Sequence, residues 1–320
     1  MKVDKNNKQS IRKAFGQTLV KLGERDKDIV VLDADLACST QSKLFGDKFP
    51  DRFFNCGIAE QNMTATAAGL ASAGKKPFIS SFAMFATGRN YDQIRNAICY
   101  PNFNVKIIGT HCGITVGEDG ASHQALEDIS LMRSLPNMCV ISPADCTECE
   151  QVISYAAQHN GPMYIRISRS NLPTIFDENY KFNIKKAVIV KTGNDMTVCT
   201  HGETLADVIL AAEALEAQGI SVEVIHIPVI KPLDTATILD SLKKTGLAAV
   251  VENHSIIGGL GSAICEMTAD KYPTKVYRIG INDEFGQSGS ANDLLKFYGL
   301  DSDSLAEKFK TIYNNNKQGN

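Results

Sequence analysis

Four groups of residues in this 320-residue sequence have types and spacing that could do chemistry. The first is Asn55-Cys56-Gly57-Ile58-Ala59-Glu60-Gln61-Asn62-Met63, which opens a helix rich in small and apolar residues. Glu60 shares a helical face with Met63, Thr64 and Ala67. A carboxylate facing that side would be desolvated and its pKa raised, which suits hydrogen bonding to a basic ring nitrogen. The alternative is a first-turn glutamate at the surface, serving the helix dipole. Taken alone, the residues favour that alternative.

The second group is Phe82-Ala-Met-Phe85, just after a strand-like run and followed by Gly88, Arg89 and Tyr91. Two phenyl rings at i and i+3 can stack on a flat heterocycle, although paired aromatics after a strand are more often plain core. The third is the irregular loop from His111 to Gln124, which holds three glycines, His111, His123 and the acidic pair Glu118-Asp119. In open α/β sheets ligands bind beyond the carboxyl ends of strands, where such a loop sits. Its histidine spacing fits no standard zinc motif, and a purely structural loop is the alternative. The fourth is basic: Arg12 on the first helix and Arg169 after the run Met163 to Ile167. Arginine grips phosphate with paired donors, yet a lone arginine is far more often a solvated surface group.

Two further patterns carry less. Gly258-Gly-Leu-Gly-Ser-Ala263 superficially resembles a dinucleotide fingerprint, but it is partial and late in the chain. Cys146-Thr-Glu-Cys149 has redox spacing without a second cysteine pair for a metal, and reads better as a helix start.

The elements that must position these groups alternate in type. Strand-like runs at Ile29 to Leu32, Pro77 to Ser80, Val105 to Ile108, Cys139 to Ile141 and Met163 to Ile167 are separated by helical patterns, beginning with Ser10 to Leu22. The stretch from Arg169 to Lys185 lacks periodicity and reads as an irregular connector. Alternation resumes with runs starting at Ala187, Met196, Val222, Ala248 and Val276. The pattern predicts two α/β domains with parallel sheets.

Composition bounds the rest. With 33 Lys+Arg against 36 Asp+Glu, the net charge of −3 argues against nucleic acid or an anionic membrane surface as partner. No apolar run approaches a membrane span, and the opening MKVDKNNKQS lacks the apolar middle of a secretory signal. Nine cysteines without framework spacing point to reduced thiols, hence a cytoplasmic location.

In order, the segments Phe54-Asn-Cys-Gly-Ile-Ala-Glu-Gln-Asn-Met63, Ser81-Phe-Ala-Met-Phe85, Gly117-Glu-Asp-Gly-Ala-Ser-His-Gln-Ala-Leu-Glu-Asp128, Ser134-Leu-Pro-Asn-Met138, Ile167-Ser-Arg-Ser-Asn-Leu172 and Val251-Glu-Asn-His-Ser255 resemble the carboxy-terminal half of transketolase. The resemblance runs from about Arg12 to Tyr298 and reverses the balance on Glu60. It implies an α/β fold of two domains: a thiamine-diphosphate pyrimidine-binding domain with a parallel sheet (1–170), a linker (171–185) and a smaller transketolase C-terminal-type domain (186–320).

It also implies roles. Glu60 matches the glutamate that bonds N1′ of the thiamine aminopyrimidine, and that contact lets the cofactor deprotonate its own thiazolium carbon. Phe82 and Phe85 match aromatics on the pyrimidine, and Asp35 an aspartate at the cofactor edge. Arg12, Ser39, His111 and Arg169 match a sugar-phosphate cluster. His123 matches a histidine near the ketose C1 hydroxyl and carbonyl, and Asp119 a residue that reads a substrate hydroxyl. Gly88, where many members carry Tyr, and Cys38, where many carry Pro, are departures. Glu252-Asn253-His254 is expected to be structural or interfacial.

The family grips the diphosphate and Mg²⁺ through a Gly-Asp-Gly segment of an amino-terminal domain, and no Gly-Asp-Gly occurs here. The expectation is therefore a split enzyme: this chain supplies no metal ligand, shares thiamine diphosphate with an N-terminal transketolase subunit that binds most of the Mg²⁺, and assembles as α2β2. The activity expected is transfer of a two-carbon ketol unit between phosphorylated ketose and aldose sugars. The alternatives are a β subunit of a 2-oxoacid dehydrogenase E1, a deoxyxylulose-phosphate-synthase-like half, a non-catalytic assembly subunit, or a transketolase for a branched or sulfonated sugar.

Overall fold

The computed structural model describes residues 3–318, built around two mainly parallel sheets. The larger has seven strands in the order Val229–Lys231, Cys139–Ile141, Met163–Ile167, Lys106–Thr110, Lys76–Phe82, Ile29–Asp33 and Phe53–Asn55. All its pairings are parallel except the edge strand Val229–Lys231. Parallel strands covered on both faces read as continuous apolar runs, and Ile29–Asp33 and Lys106–Thr110 are buried at every position.

The smaller sheet has the order Val276–Ile281, Ala248–Ser255, Met196–Thr200, Val222–His226 and Val188–Lys191, the last antiparallel. Each of the ten strand-like runs of the sequence coincides with one of these strands, with Val105 and Ala187 lying one residue ahead of theirs. Two α/β domains is thus the observed fold class.

Helices cover both faces of the larger sheet. Ile11, Phe15 and Leu19 of Ile11–Arg25 pack with Val152, Ile153 and Ala156 of Cys146–Gln158 on one side. On the other, Met63 and Ala67 of Glu60–Ser72 join Ile94 and Ile98, and the same cluster continues into Leu242, Leu260 and Ile264 of the second half. One apolar core therefore crosses both halves.

The junction is also polar and buried. Asp128 accepts from Tyr164 (2.6 Å) and Arg166 (2.7 Å), and Arg166 reaches the carbonyl of Asn253 (2.9 Å). Asn253 in turn accepts from the Ile114 amide (2.9 Å) and donates to Glu203 (2.5 Å). The segment Glu252-Asn253-His254 is therefore interfacial.

The connector is more ordered than its composition suggests. Asn171–Thr174 pairs antiparallel with Asp4–Ser10, and the rings of Phe176 and Tyr180 stack at 4.1 Å in the core. The polar run Asp4–Ser10 has no hydrophobic alternation to announce a strand. The glycine run near Gly258 closes the dinucleotide alternative: the Glu252 carboxylate already accepts from the amides of Leu260 (2.8 Å) and Gly261 (2.9 Å), filling the anion position at that helix start. Cys146 and Cys149 carry thiols pushed up by burial, Cys146 to about 12, which is the opposite of a reactive redox pair.

Candidate active site

Glu60 is the first residue of the helix Glu60–Ser72, and its side chain is 1 % exposed. The chain reaches it through Gly57 at φ +70, a left-handed turn suited to glycine. Its position is therefore that of the first-turn glutamate, but its environment is the core rather than the surface. Both carboxylate oxygens accept from Nη1 of Arg89 at 3.1 Å, and that guanidinium lies 4.2 Å from the centre of the Phe85 ring.

Strand Lys76–Phe82 ends at Phe82, and the short helix Ala83–Thr87 carries Phe85. The two phenyl rings are nearly parallel, 15° apart with centroids 6.1 Å apart. The His111 ring stacks on Phe82 at 3.8 Å, and the His123 ring meets Phe85 edge-on at 5.2 Å. His111 directly follows strand Lys106–Thr110 with φ +56, and Asp35 follows Ile29–Asp33 with φ +64. Left-handed backbone at residues with side chains is uncommon and concentrates at functional sites.

His111 is buried, and desolvation, together with the charges of Arg12 and Arg169 and the proximity of His123, pushes its pKa down to about 3. It is a neutral imidazole at physiological pH, with Nδ1 2.9 Å from the Thr110 hydroxyl. Arg12 donates to the carbonyls of Ser39 (2.7 Å) and Arg169 (3.1 Å), and its buried Nε has no partner among the described residues. Burial and the neighbouring Arg169 both lower its pKa. Arg169 donates to the Val116 carbonyl and to Glu118 (3.1 Å), which ties it to the glycine-rich loop. The structure thus brings together Arg12, Ser39, His111 and Arg169 around two guanidiniums.

The loop itself turns on Gly113, Gly117 and Gly120, all at positive φ. A Cβ on Gly113 would lie 2.4 Å from Cγ of Asn253, so the polar junction sets the path of the loop. Asp119 is exposed near its tip, and His123 is half-buried with Nδ1 2.9 Å from the Ser122 hydroxyl.

Asp35 is exposed and accepts from Asn55 (3.1 Å), whose own carbonyl oxygen accepts from the Gly57 amide (3.0 Å). Asp35 therefore sits beside the turn that leads to Glu60. A cavity of about 410 Å³ lined by Asp35, Cys38, Ser39 and Asn55 opens next to it.

Two residues with a place here escaped the sequence reading. In the sequence Arg89 stands out only as a neighbour of Phe85. Asp33, fully buried, accepts from the Leu36 amide (2.6 Å) and the Thr40 and Ser42 hydroxyls (2.8 Å each), and so holds the turn carrying Asp35 and Ser39. Burial raises its pKa even though these donors oppose the shift. Among the described residues, no three His, Cys, Asp or Glu side chains converge to hold a metal ion.

Chemically, the arrangement joins a buried carboxylate through Arg89 to two parallel phenyl rings, which suits a flat heterocycle with a polar nitrogen on its edge. Nearby guanidiniums suit an oxyanion.

Residues 7–174 match the family model of the transketolase pyrimidine-binding domain, and residues 185–305 that of the transketolase C-terminal domain. The chain is 48% identical over 303 residues to a Methanocaldococcus jannaschii protein named as a transketolase C-terminal section, covering 94% of this chain and 95% of that one. It is 39% identical over 290 residues to a Clostridium sp. protein named as a 6-deoxy-6-sulfo-D-fructose transketolase subunit, covering 91% and 90%. A split-gene transketolase solved as an inactive beta4 tetramer superposes with a TM-score of 0.89 at 44% identity, covering 96% of this chain and 99% of the other. The chain belongs to the transketolase family and corresponds to its carboxy-terminal half, the pyrimidine-binding domain followed by the C-terminal domain.

Proposed function

We propose that this chain is the C-terminal subunit of a split, thiamine-diphosphate-dependent transketolase that moves a two-carbon ketol unit between phosphorylated ketose and aldose sugars. The observation that carries the proposal is the buried Glu60 carboxylate, joined through the Arg89 guanidinium to the Phe85 ring, which lies parallel to Phe82. That pairing fits the aminopyrimidine: a carboxyl that shares a proton with its basic ring nitrogen and an aromatic platform for its face. When bound, the cofactor supplies a nucleophilic carbon that attacks the ketose carbonyl and stores the electron pair after C–C cleavage.

The residues of this chain do the rest. Glu60 holds a proton shared with the pyrimidine edge, Phe82 and Phe85 orient the ring, and Asp35 borders the cofactor. His123 donates to or accepts from the ketose C1 hydroxyl and carbonyl, while Asp119 reads a further hydroxyl. Arg12 and Arg169 bind the terminal anion, with Ser39 and neutral His111 completing the cluster. The neutrality of His111 leaves one ring nitrogen free to accept a hydroxyl proton.

Mg²⁺ and the diphosphate would be held mainly by an N-terminal subunit in an α2β2 assembly in the cytoplasm. Residues 1–170 would form the pyrimidine-binding domain, 171–185 the linker and 186–320 the C-terminal domain. The names of the relatives, a C-terminal section and a transketolase subunit, support a chain that works with a partner.

A second reading is a sulfonated-sugar substrate, favoured by the relative named for 6-deoxy-6-sulfo-D-fructose. Paired guanidiniums accept sulfonate as well as phosphate. Assaying the chain with its N-terminal partner, thiamine diphosphate and Mg²⁺ on sugar phosphates and on 6-deoxy-6-sulfofructose tests both. Ketol transfer from neither donor would refute both.

A further inference from the structure

We propose that Arg89 is a placeholder for the cofactor's aminopyrimidine: it holds the Glu60 carboxylate while the cofactor is absent and gives it up when the cofactor docks. The inference rests on the assignment of Glu60 to the pyrimidine edge made above. An ionised carboxylate buried to 1 % exposure is costly unless paired. Arg89 supplies the pairing with one nitrogen 3.1 Å from each oxygen, while its flat guanidinium lies on Phe85 at 4.2 Å. One planar cation thus occupies both places that an aminopyrimidine would take up: the Glu60 carboxylate, which would share a proton with the basic ring nitrogen, and the face of Phe85.

The two halves of the pair differ in their freedom to leave. Glu60 is locked in the first turn of its helix, whereas the Arg89 side chain is 47% exposed. The Arg89 backbone stays put, because its carbonyl accepts from Gln61 at 3.1 Å and so tethers it to the same helix. Swinging out therefore moves only a long side chain whose charge water can solvate. What opposes the swing is the carboxylate left behind, so release needs a replacement partner. Docking becomes an exchange of the cation for a proton shared between Glu60 and the basic ring nitrogen, and a flat ligand without such a nitrogen would leave Glu60 unpaired and be rejected.

The test uses the full chain with its N-terminal partner, stripped of cofactor, and measures binding of thiamine diphosphate at saturating Mg²⁺ by calorimetry and stopped flow. Arg89→Ala should bind several-fold more tightly than wild type, with faster association, and Arg89→Lys, which keeps the cation, should stay near wild type. Weaker or unchanged binding by Arg89→Ala, with wild-type binding intact, overturns the placeholder alone. Failure of the wild-type complex to bind thiamine diphosphate overturns the proposed function on which it rests.

A second measurement needs no partner. In the lone chain Arg89→Ala should lower the melting temperature, and adding Glu60→Gln should restore most of the loss. Additive effects of the two substitutions would contradict the pairing.

Discussion

Nε of Arg166 lies 2.7 Å from Oδ2 of Asp128, with both side chains buried, at the seam between the two halves of the molecule. Burial alone would raise the Asp128 carboxyl. Arg166, His254 and the Tyr164 hydroxyl reverse that and hold it below the usual carboxylate range. Because Arg166 also reaches the Asn253 carbonyl, the pair fixes the carboxy-terminal half against the strands that carry the site.

Removing one member of such a pair strands the other charge in the interior, at a cost of about 3–5 kcal/mol. Asp128→Asn should therefore shift urea unfolding strongly to lower denaturant. The double change Asp128→Leu with Arg166→Met should recover most of the loss. A single substitution costing under about 1 kcal/mol would mean that the seam does not depend on the pair.

Gly113 has φ +67 and ψ −167, a region almost closed to other residues, and Asn253 is fixed where a Cβ would go. Gly113→Ala should cost at least about 2 kcal/mol from backbone strain and overlap combined. It should also expose the loop 114–124 to limited proteolysis. Wild-type stability with an unaltered cleavage pattern would count against control of the loop by the junction.

His111 supplies an acid-sensitive element. Its folded pKa, about 3, lies below the ordinary value of 6.5, so the unfolded chain binds a proton first as pH falls. The stability it contributes is complete above pH 6.5 and lost as pH drops towards 3, by up to about 1.4 kcal/mol per unit. His111→Asn, which keeps a residue tolerant of left-handed backbone, should flatten the fall between pH 6.5 and 5 in urea titrations. An identical slope in the variant would show that His111 is not the group responsible.

Arg12 and Arg169 should matter to the anion more than to the sugar. In the reconstituted enzyme, replacing either by Ala should raise KM for phosphorylated acceptors about 10- to 100-fold, the worth of one or two charge-assisted hydrogen bonds. Unphosphorylated acceptors should be affected much less. Equal effects on both classes would remove the anion-binding role.

Much of the fold was legible because strands buried on both faces read as nearly continuous apolar runs, as Ile29 to Leu32 does. Val229–Lys231 escaped notice because three residues carry no period and its partner strand lies far back in the sequence. The site was legible in its residue types but not in its burial. A glutamate opening a helix looks the same in sequence whether it faces water or, like Glu60, the core. Arg89 carried no signal at all, since its importance lies in a contact across 29 positions, between the loop after Phe85 and the start of another helix. Asp33 likewise reads as the polar end of a strand until Thr40 and Ser42 fold back onto it.

The proposed function makes this chain one half of a catalytic site built around Glu60. Its most direct measurement is thiamine-diphosphate-dependent ketol transfer by the purified chain alone, by the chain with its N-terminal partner, and by that complex carrying Glu60→Ala. No turnover is expected from the chain alone, turnover is expected from the complex, and Glu60→Ala should cost about 10²–10⁴-fold, the range for removing a positioned proton-transfer group. Turnover by the isolated chain, or an undiminished rate in the Glu60→Ala complex, would contradict the proposed function.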